Sequence, residues 1–157
     1  MFSSYIQFYI ILISNSSFMT IESSVKKQEL SHFDKVNFCN QILKSDDKIR
    51  SAAFVNINGS IGALIHREGH TPLLSDGEST PALTQATFRL LSRKLHESKI
   101  GKTIYSLSVH EFIARISIPI GDDSALLLSV DRNSNYSDII FKKVKPILER
   151  HDFDIAK

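Results

Sequence analysis

The chain has 157 residues, 42% of them hydrophobic and 23% charged, with 19 basic against 17 acidic side chains. This is the make-up of one ordinary globular domain, and it excludes a solvated tail, a collagen-like repeat, a disulfide scaffold and a polytopic membrane protein. A net charge of +2 is too small to point to nucleic acid, which asks for a clustered basic face.

Residues 1–21 carry no charged side chain, and 5–13 (YIQFYIILI) form an apolar run broken only by Gln7. The run is too short to span a bilayer, and no Lys or Arg precedes it as the basic flank of a secretory signal. Three readings stay open for the extension 1–24: a mis-assigned start with Met19 as the true one, an anchor to a membrane or partner, or a cleaved signal. Membrane contact is expected only if residues 5–13 act as an anchor, and the expected compartment is the cytoplasm. Residues 25–152 read as a single domain and 153–157 as a tail. Cys39 is the single cysteine, so no internal disulfide or cysteine-built zinc site can form. Its helical spacing with Val36 and Leu43 predicts a small buried side chain.

In chain order, Val25, Leu30, Phe33, Val36, Cys39 and Leu43 share one helical arc, which predicts an amphipathic helix. It starts at Ser24, or at Ser31 with Asp34 in the reciprocal capping position. A strand follows over 48–57, with Ile49, Ala53, Val55 and Ile57 on one face. Asn58-Gly59 predicts a tight hairpin turn into a return strand over 61–66, in which Gly62 marks a bulge or a close backbone approach. Residues 68–80 read as a loop. Pro81 is then placed first in a helix capped by Thr80 and running to Lys99, with Gly101 as its stop. That helix carries two apolar ridges: Leu83, Ala86 and Leu90, and the surplus Phe88, Leu91 and Leu95. Strands are predicted over 103–109, 112–120 and 125–130, with Phe112, Ala114, Ile116, Ile118 and Ile120 on one face and Gly121-Asp122-Asp123 as a turn. The run 125–130 is apolar enough for a central strand, and Pro119 belongs near a strand end or on an unpaired side. A last helix over 137–151 contains Pro146, where a kink or break is expected. The fold class is therefore α+β: a single antiparallel five-stranded sheet with helices packed on it, in the order α-β-β-α-β-β-β-α.

No motif for chemistry emerges. His66 and His70 flank Glu68-Gly69 and read as solvated loop histidines, since ligands four apart converge only on a helix. His110-Glu111 reads as a meander turn. Asp122-Asp123 is ordinary hairpin chemistry. Lys142, Lys143, Lys145 and Arg150 read as a solvated helix face, without interleaved aromatics for nucleic acid. No catalytic residue, cofactor site or metal site is assigned.

The element order, together with IRSAAFVNINGSIGALIHREG, the mid-chain helix and IARISIPIGDDSALLLSVD, resembles the Roadblock family, dynein-light-chain-like domains with a profilin-like fold. More narrowly, IRSAAFVNINGS and PIGDDSALLLSV are similar to an archaeal group with that layout. The resemblance covers residues 31–150. It implies a homodimer in which the strand after the second helix pairs with its mate, and a non-enzymatic scaffold or regulator of small Ras-like GTPases. On this chain the interface would hold Phe88, Leu91 and Leu95 with Thr103, Tyr105 and Leu107. No functional residue of the family carries over. The alternative is a small-molecule-sensing domain with residues 68–80 as its lid.

Overall fold

Ser31 opens the first helix of the computed structural model, which describes residues 30–153. Helix α1 (His32–Ser45) begins in a capping box: the Asp34 amide donates to Ser31 Oγ at 3.1 Å, and the Asp34 carboxylate accepts from the Ser31 amide at 3.2 Å. Both exchanges satisfy amides that the helix itself cannot pair. Ser31 is thus the start; the Ser24 alternative, Val25, Met19 and the run 5–13 lie outside the described residues. Phe38, Cys39, Ile42 and Leu43 form the buried stripe of α1, and burial pushes the Cys39 thiol up to about 12, far from a reactive thiolate.

Five strands form one antiparallel sheet in the order β2-β1-β5-β4-β3: β1 (Ile49–Asn56), β2 (Ile61–His66), β3 (Ser106–Val109), β4 (Ile113–Ile120) and β5 (Ser124–Asp131). The run expected to be central is central, buried at Ala125, Leu126, Leu127, Leu128 and Val130. Phe54 and Val55 of β1 pair with Ala63 and Ile61, leaving Gly62 as the extra residue of a bulge. Gly62 is also a close approach, because a β-carbon there would stand 2.8 Å from Lys35 Cδ. A second bulge between Ile49 and Ser51 turns Ile49 into the α1-side core. It therefore does not share a face with Ala53 and Val55, as plain alternation predicts.

The β1–β2 connection is longer than a two-residue turn. Asn56 N–H donates to Ser60 O at 2.9 Å and Gly59 N–H to Asn56 O at 2.8 Å, with Gly59 left-handed at φ +84°. A β-carbon on Gly59 would also meet Thr84 Cγ2 at 3.0 Å. Gly59→Ala is expected to cost about 1–2 kcal/mol, read as a lower urea midpoint with an unchanged slope.

Helix α2 (Asp76–Lys94) starts five residues before the predicted Pro81. The Ser75 amide and hydroxyl both bind the Glu78 carboxylate, at 2.9 and 2.7 Å, and hold it below its ordinary range. This capping box fixes the start and leaves Pro81 inside the helix, where it has no amide to donate to the carbonyl of Gly77. The helix also ends early, at Lys94; a separate turn α3 (Glu97–Ile100) precedes Gly101, whose φ is +86°. Strand β3 is only four residues long, so Thr103 and Tyr105 precede it. Phe112 stands outside β4 and is 73% exposed, while its predicted face-mates Ala114, Ile116, Ile118 and Ile120 are buried. Pro119 pairs with β5 on one side only, since β3 stops pairing at Ser117.

The chain closes in α4 (Tyr136–Asp138), a π-helical stretch (Ile139–Val144) and α5 (Lys145–Arg150). The break expected at Pro146 is instead a change of winding. The Lys145 amide donates to Ile140 O, five residues back, so Pro146 enters as the second residue of a new α turn, where no amide is required. Lys142 pairs with Asp138 and Lys145 with Glu149 along this exposed face. Helix α1 and this C-terminal helix cover one face of the sheet, around Phe38, Phe54, Ile116, Leu126, Ile140 and Leu148. Phe153, read as tail, packs against this core. Among the described residues only α2 covers the other face, over Ala53, Val55, Ala125 and Leu127. No helix among the described residues is long and apolar enough to cross a membrane.

Candidate functional site

Side chains on successive strand residues alternate between faces, so a polar residue on an inward face must come from register rather than from local spacing. On the α2 face, the register aligns His66 with Ser51, Ser51 with Ser129, Ser129 with Arg115, and Arg115 with Ser108. A polar row therefore crosses the whole sheet beyond the apolar patch that α2 covers. The segment 67–75, between β2 and the α2 capping box, lies over this row and leaves a half-open cavity of about 70 Å³. His70, Leu74 and Ser79 line it from above, and Arg50, Ser51, Arg115 and Ser129 from the sheet.

The charges here are unevenly matched. Arg50 pairs with Asp131 at 3.2 Å. Arg115 has no hydrogen bond or ion pair among the described residues; burial, then the neighbouring Arg89, lower its guanidinium from its ordinary value. His70 Nδ1 is buried without a partner. His70 is therefore not the solvated loop histidine expected, although His66, at the end of β2, is exposed. Of the residues 68–80 read as a loop, 76–80 are the first turns of α2.

The surplus ridge of α2 lies at a second surface. Phe88 is 60% and Leu95 79% exposed, while Leu91 is half-buried. Strand β3, at the sheet's edge, is hydrogen-bonded on one side only among the described residues. Tyr105 packs edge-on against Phe141 at 6.1 Å and touches the α1-side core. Leu107 stands opposite Ile116, so it too lies on the sheet face away from α2. The six interface candidates are thus split between the two faces of the sheet. Sequence reasoning missed Val109 as an exposed companion of Leu107; the same alternation that placed Leu107 was its signal.

No protein-family model matches the sequence, and neither does any curated protein. Solved structures do. The Roadblock/LC7 domain of Streptomyces avermitilis superposes with a TM-score of 0.58 at 8% identity, over 73% of this chain and 92% of that one. The fold is the Roadblock fold. The gliding protein MglB of Thermus thermophilus gives a TM-score of 0.56 at 14% identity, over 73% of this chain and 80% of that one. MglB of Myxococcus xanthus gives 0.56 at 11%, over 81% and 86%. At such identities the likeness is one of backbone, and side-chain roles do not travel with it.

Proposed function

We propose that this protein is a member of the Roadblock family that works as a non-enzymatic scaffold or regulatory domain. It acts as a homodimer, in the cytoplasm, on a small Ras-like GTPase. The observation that carries this reading is the solvent-exposed apolar pair Phe88, on α2, and Leu95, at its C-cap, together with an edge strand β3 that pairs on one side among the described residues. An uncovered apolar ridge is commonly an interface, and an unpaired edge strand is a ready template for a second strand. Two copies joined edge to edge about a two-fold axis would satisfy both. The element order supports the family assignment, and the two hairpin segments support the narrower archaeal grouping. MglB has been solved in a tetrameric arrangement, which fits self-association of this fold.

The test is the mass of the full chain by light scattering on a sizing column. The wild type is expected at twice the chain mass. Leu91→Asp is expected to halve that value, and so is Phe88→Asp, whose position in solvent spares the fold. A monomeric wild type overturns the dimer, and unchanged masses for both variants overturn this interface. Pull-down with nucleotide-loaded GTPases then tests the partner.

A second reading, a small-molecule-sensing domain, is favoured by the cavity beneath residues 67–75. Mass spectrometry of the natively purified chain is expected to show a retained small molecule if that reading holds.

A further inference from the structure

We infer that the cavity between residues 67–75 and the polar row of the sheet is a binding site for a phosphoryl group. The inference deepens the small-molecule-sensing reading and is independent of the dimer. Its first support is the donor set. Arg115 presents a half-buried guanidinium with no acidic partner, and the hydroxyls of Ser51 and Ser129 on the adjacent strands make no hydrogen bond among the described residues. His70, from the segment above, brings a buried ring nitrogen that is also unpartnered. A buried polar atom without a partner is costly, which holds among the described residues for His70 Nδ1; the half-buried Arg115, Ser51 and Ser129 groups beside it keep their hydrogen-bonding capacity open, and a single ligand can engage all four.

The second support is charge. Arg50 and Arg115 both line the cavity, and Arg89 on α2 lies near enough to Arg115 to repel it. Asp131, at the end of β5, is engaged by Arg50 at 3.2 Å, and Glu78 is held by Ser75. An anion entering the space therefore relieves repulsion between guanidinium groups as well as filling hydrogen bonds.

Size narrows the class. The cavity of about 70 Å³ exceeds the roughly 10–15 Å³ needed by one water, but falls well below the roughly 300–1,000 Å³ of sites that enclose whole drug-sized ligands. Open on one side, it suits a small oxyanion, alone or as the end group of a larger molecule. Donors arrive from the sheet floor and from the segment above, more directions than the two oxygens of a carboxylate can use. A tetrahedral phosphoryl group presents three terminal oxygens and about twice the charge.

The experiment is titration of the full chain with inorganic phosphate, followed by backbone amide NMR at constant ionic strength, with acetate in parallel. Saturable shifts are expected at Ser51, His70 and Ser129. Arg115→Gln is expected to weaken binding roughly tenfold or more, while Lys143→Gln, exposed on the C-terminal helix across the sheet, keeps saturable binding at these same amides. Ser129→Ala, a small change inside a strand, is expected to weaken binding by several-fold and guards against misfolding of the arginine variant. Non-saturating shifts, or equal affinity in wild type and both cavity variants, overturn the site. Saturation by acetate but not phosphate overturns the phosphoryl assignment, as does a retained small molecule that carries no phosphate. In the last case the sensing reading itself survives.

Discussion

Phe38→Ala is expected to remove about 3–5 kcal/mol of stability, against a total of about 5–15 kcal/mol for a domain of this kind. Phe38 has no solvent exposure and sits where three parts of the chain meet. Its ring packs edge-on against Phe54 of β1 at 6.0 Å, His151 at 5.3 Å and Phe153 at 5.8 Å. Truncation loses the transfer energy of a buried ring and leaves a cavity that a sheet and a helix end cannot collapse to fill. The aromatic pairs add to this, since edge-on geometry is the arrangement their quadrupoles favour. The check is urea unfolding, with a lower midpoint and an unchanged slope. Phe33→Ala on the same helix, 72% exposed, is the comparison and is expected to change stability by less than about 0.5 kcal/mol. A loss at Phe38 below about 1 kcal/mol would contradict this packing.

The strands and their order were legible because each is short, alternates or is uniformly apolar, and is bounded by residues that turn. Gly121-Asp122-Asp123 and the Asn58-Gly59 pair supplied those boundaries; Gly121 and Gly59 are both left-handed, at φ +57° and +84°. What failed was the helix start read from Pro81. Pro81 is a strong sign of a first helical turn, yet the helix begins at Ser75 because Ser75 and Glu78 satisfy each other's backbone. Pro146 signals a kink or break, and the helix does change there, from π to α winding. At Pro81 a local hydrogen-bond exchange outweighed a single-residue signal. Ile49 was misplaced for another reason: one bulge reverses every side chain before it, and nothing in 48–57 marks it.

The site was far less legible than the fold. Arg50, Ser51, Arg115 and Ser129 come from three strands and meet only through register, which no local spacing encodes. A trace existed, since Ser51, Arg115 and Ser129 are each among the few polar residues of a largely apolar strand. Read singly, such residues are solvent-facing; read with the strand order, they form one line across the sheet. The surplus ridge of α2 was legible because helical periodicity counts apolar positions regardless of what covers them.

Arg67→Met is the second large expected effect, a loss of about 2–4 kcal/mol. Helix α1 ends without a glycine cap: Asp46 leaves it in an extended conformation, so its last carbonyls need other donors. Arg67, just past β2, supplies them. Its Nε donates to Ile49 O at 2.7 Å and its Nη2 to Asp46 O at 2.6 Å and to Leu43 O, while its amide donates to Arg50 O at 2.8 Å. One guanidinium thus ties the end of α1, the turn after it and the first residue of β1 to the end of β2. Its positive charge also lies at the negative end of the α1 dipole. Methionine keeps the apolar stem and removes only the fork, so the loss measures those bonds rather than packing. Arg67→Lys is expected to recover less than half of it, because a single ammonium cannot reach three carbonyls in one plane. Full recovery in the lysine variant, by urea unfolding, would mean that charge alone matters here. Because Arg67 is also where the segment over the cavity begins, Arg67→Met is expected to raise amide exchange across residues 68–74 before it does so in β5.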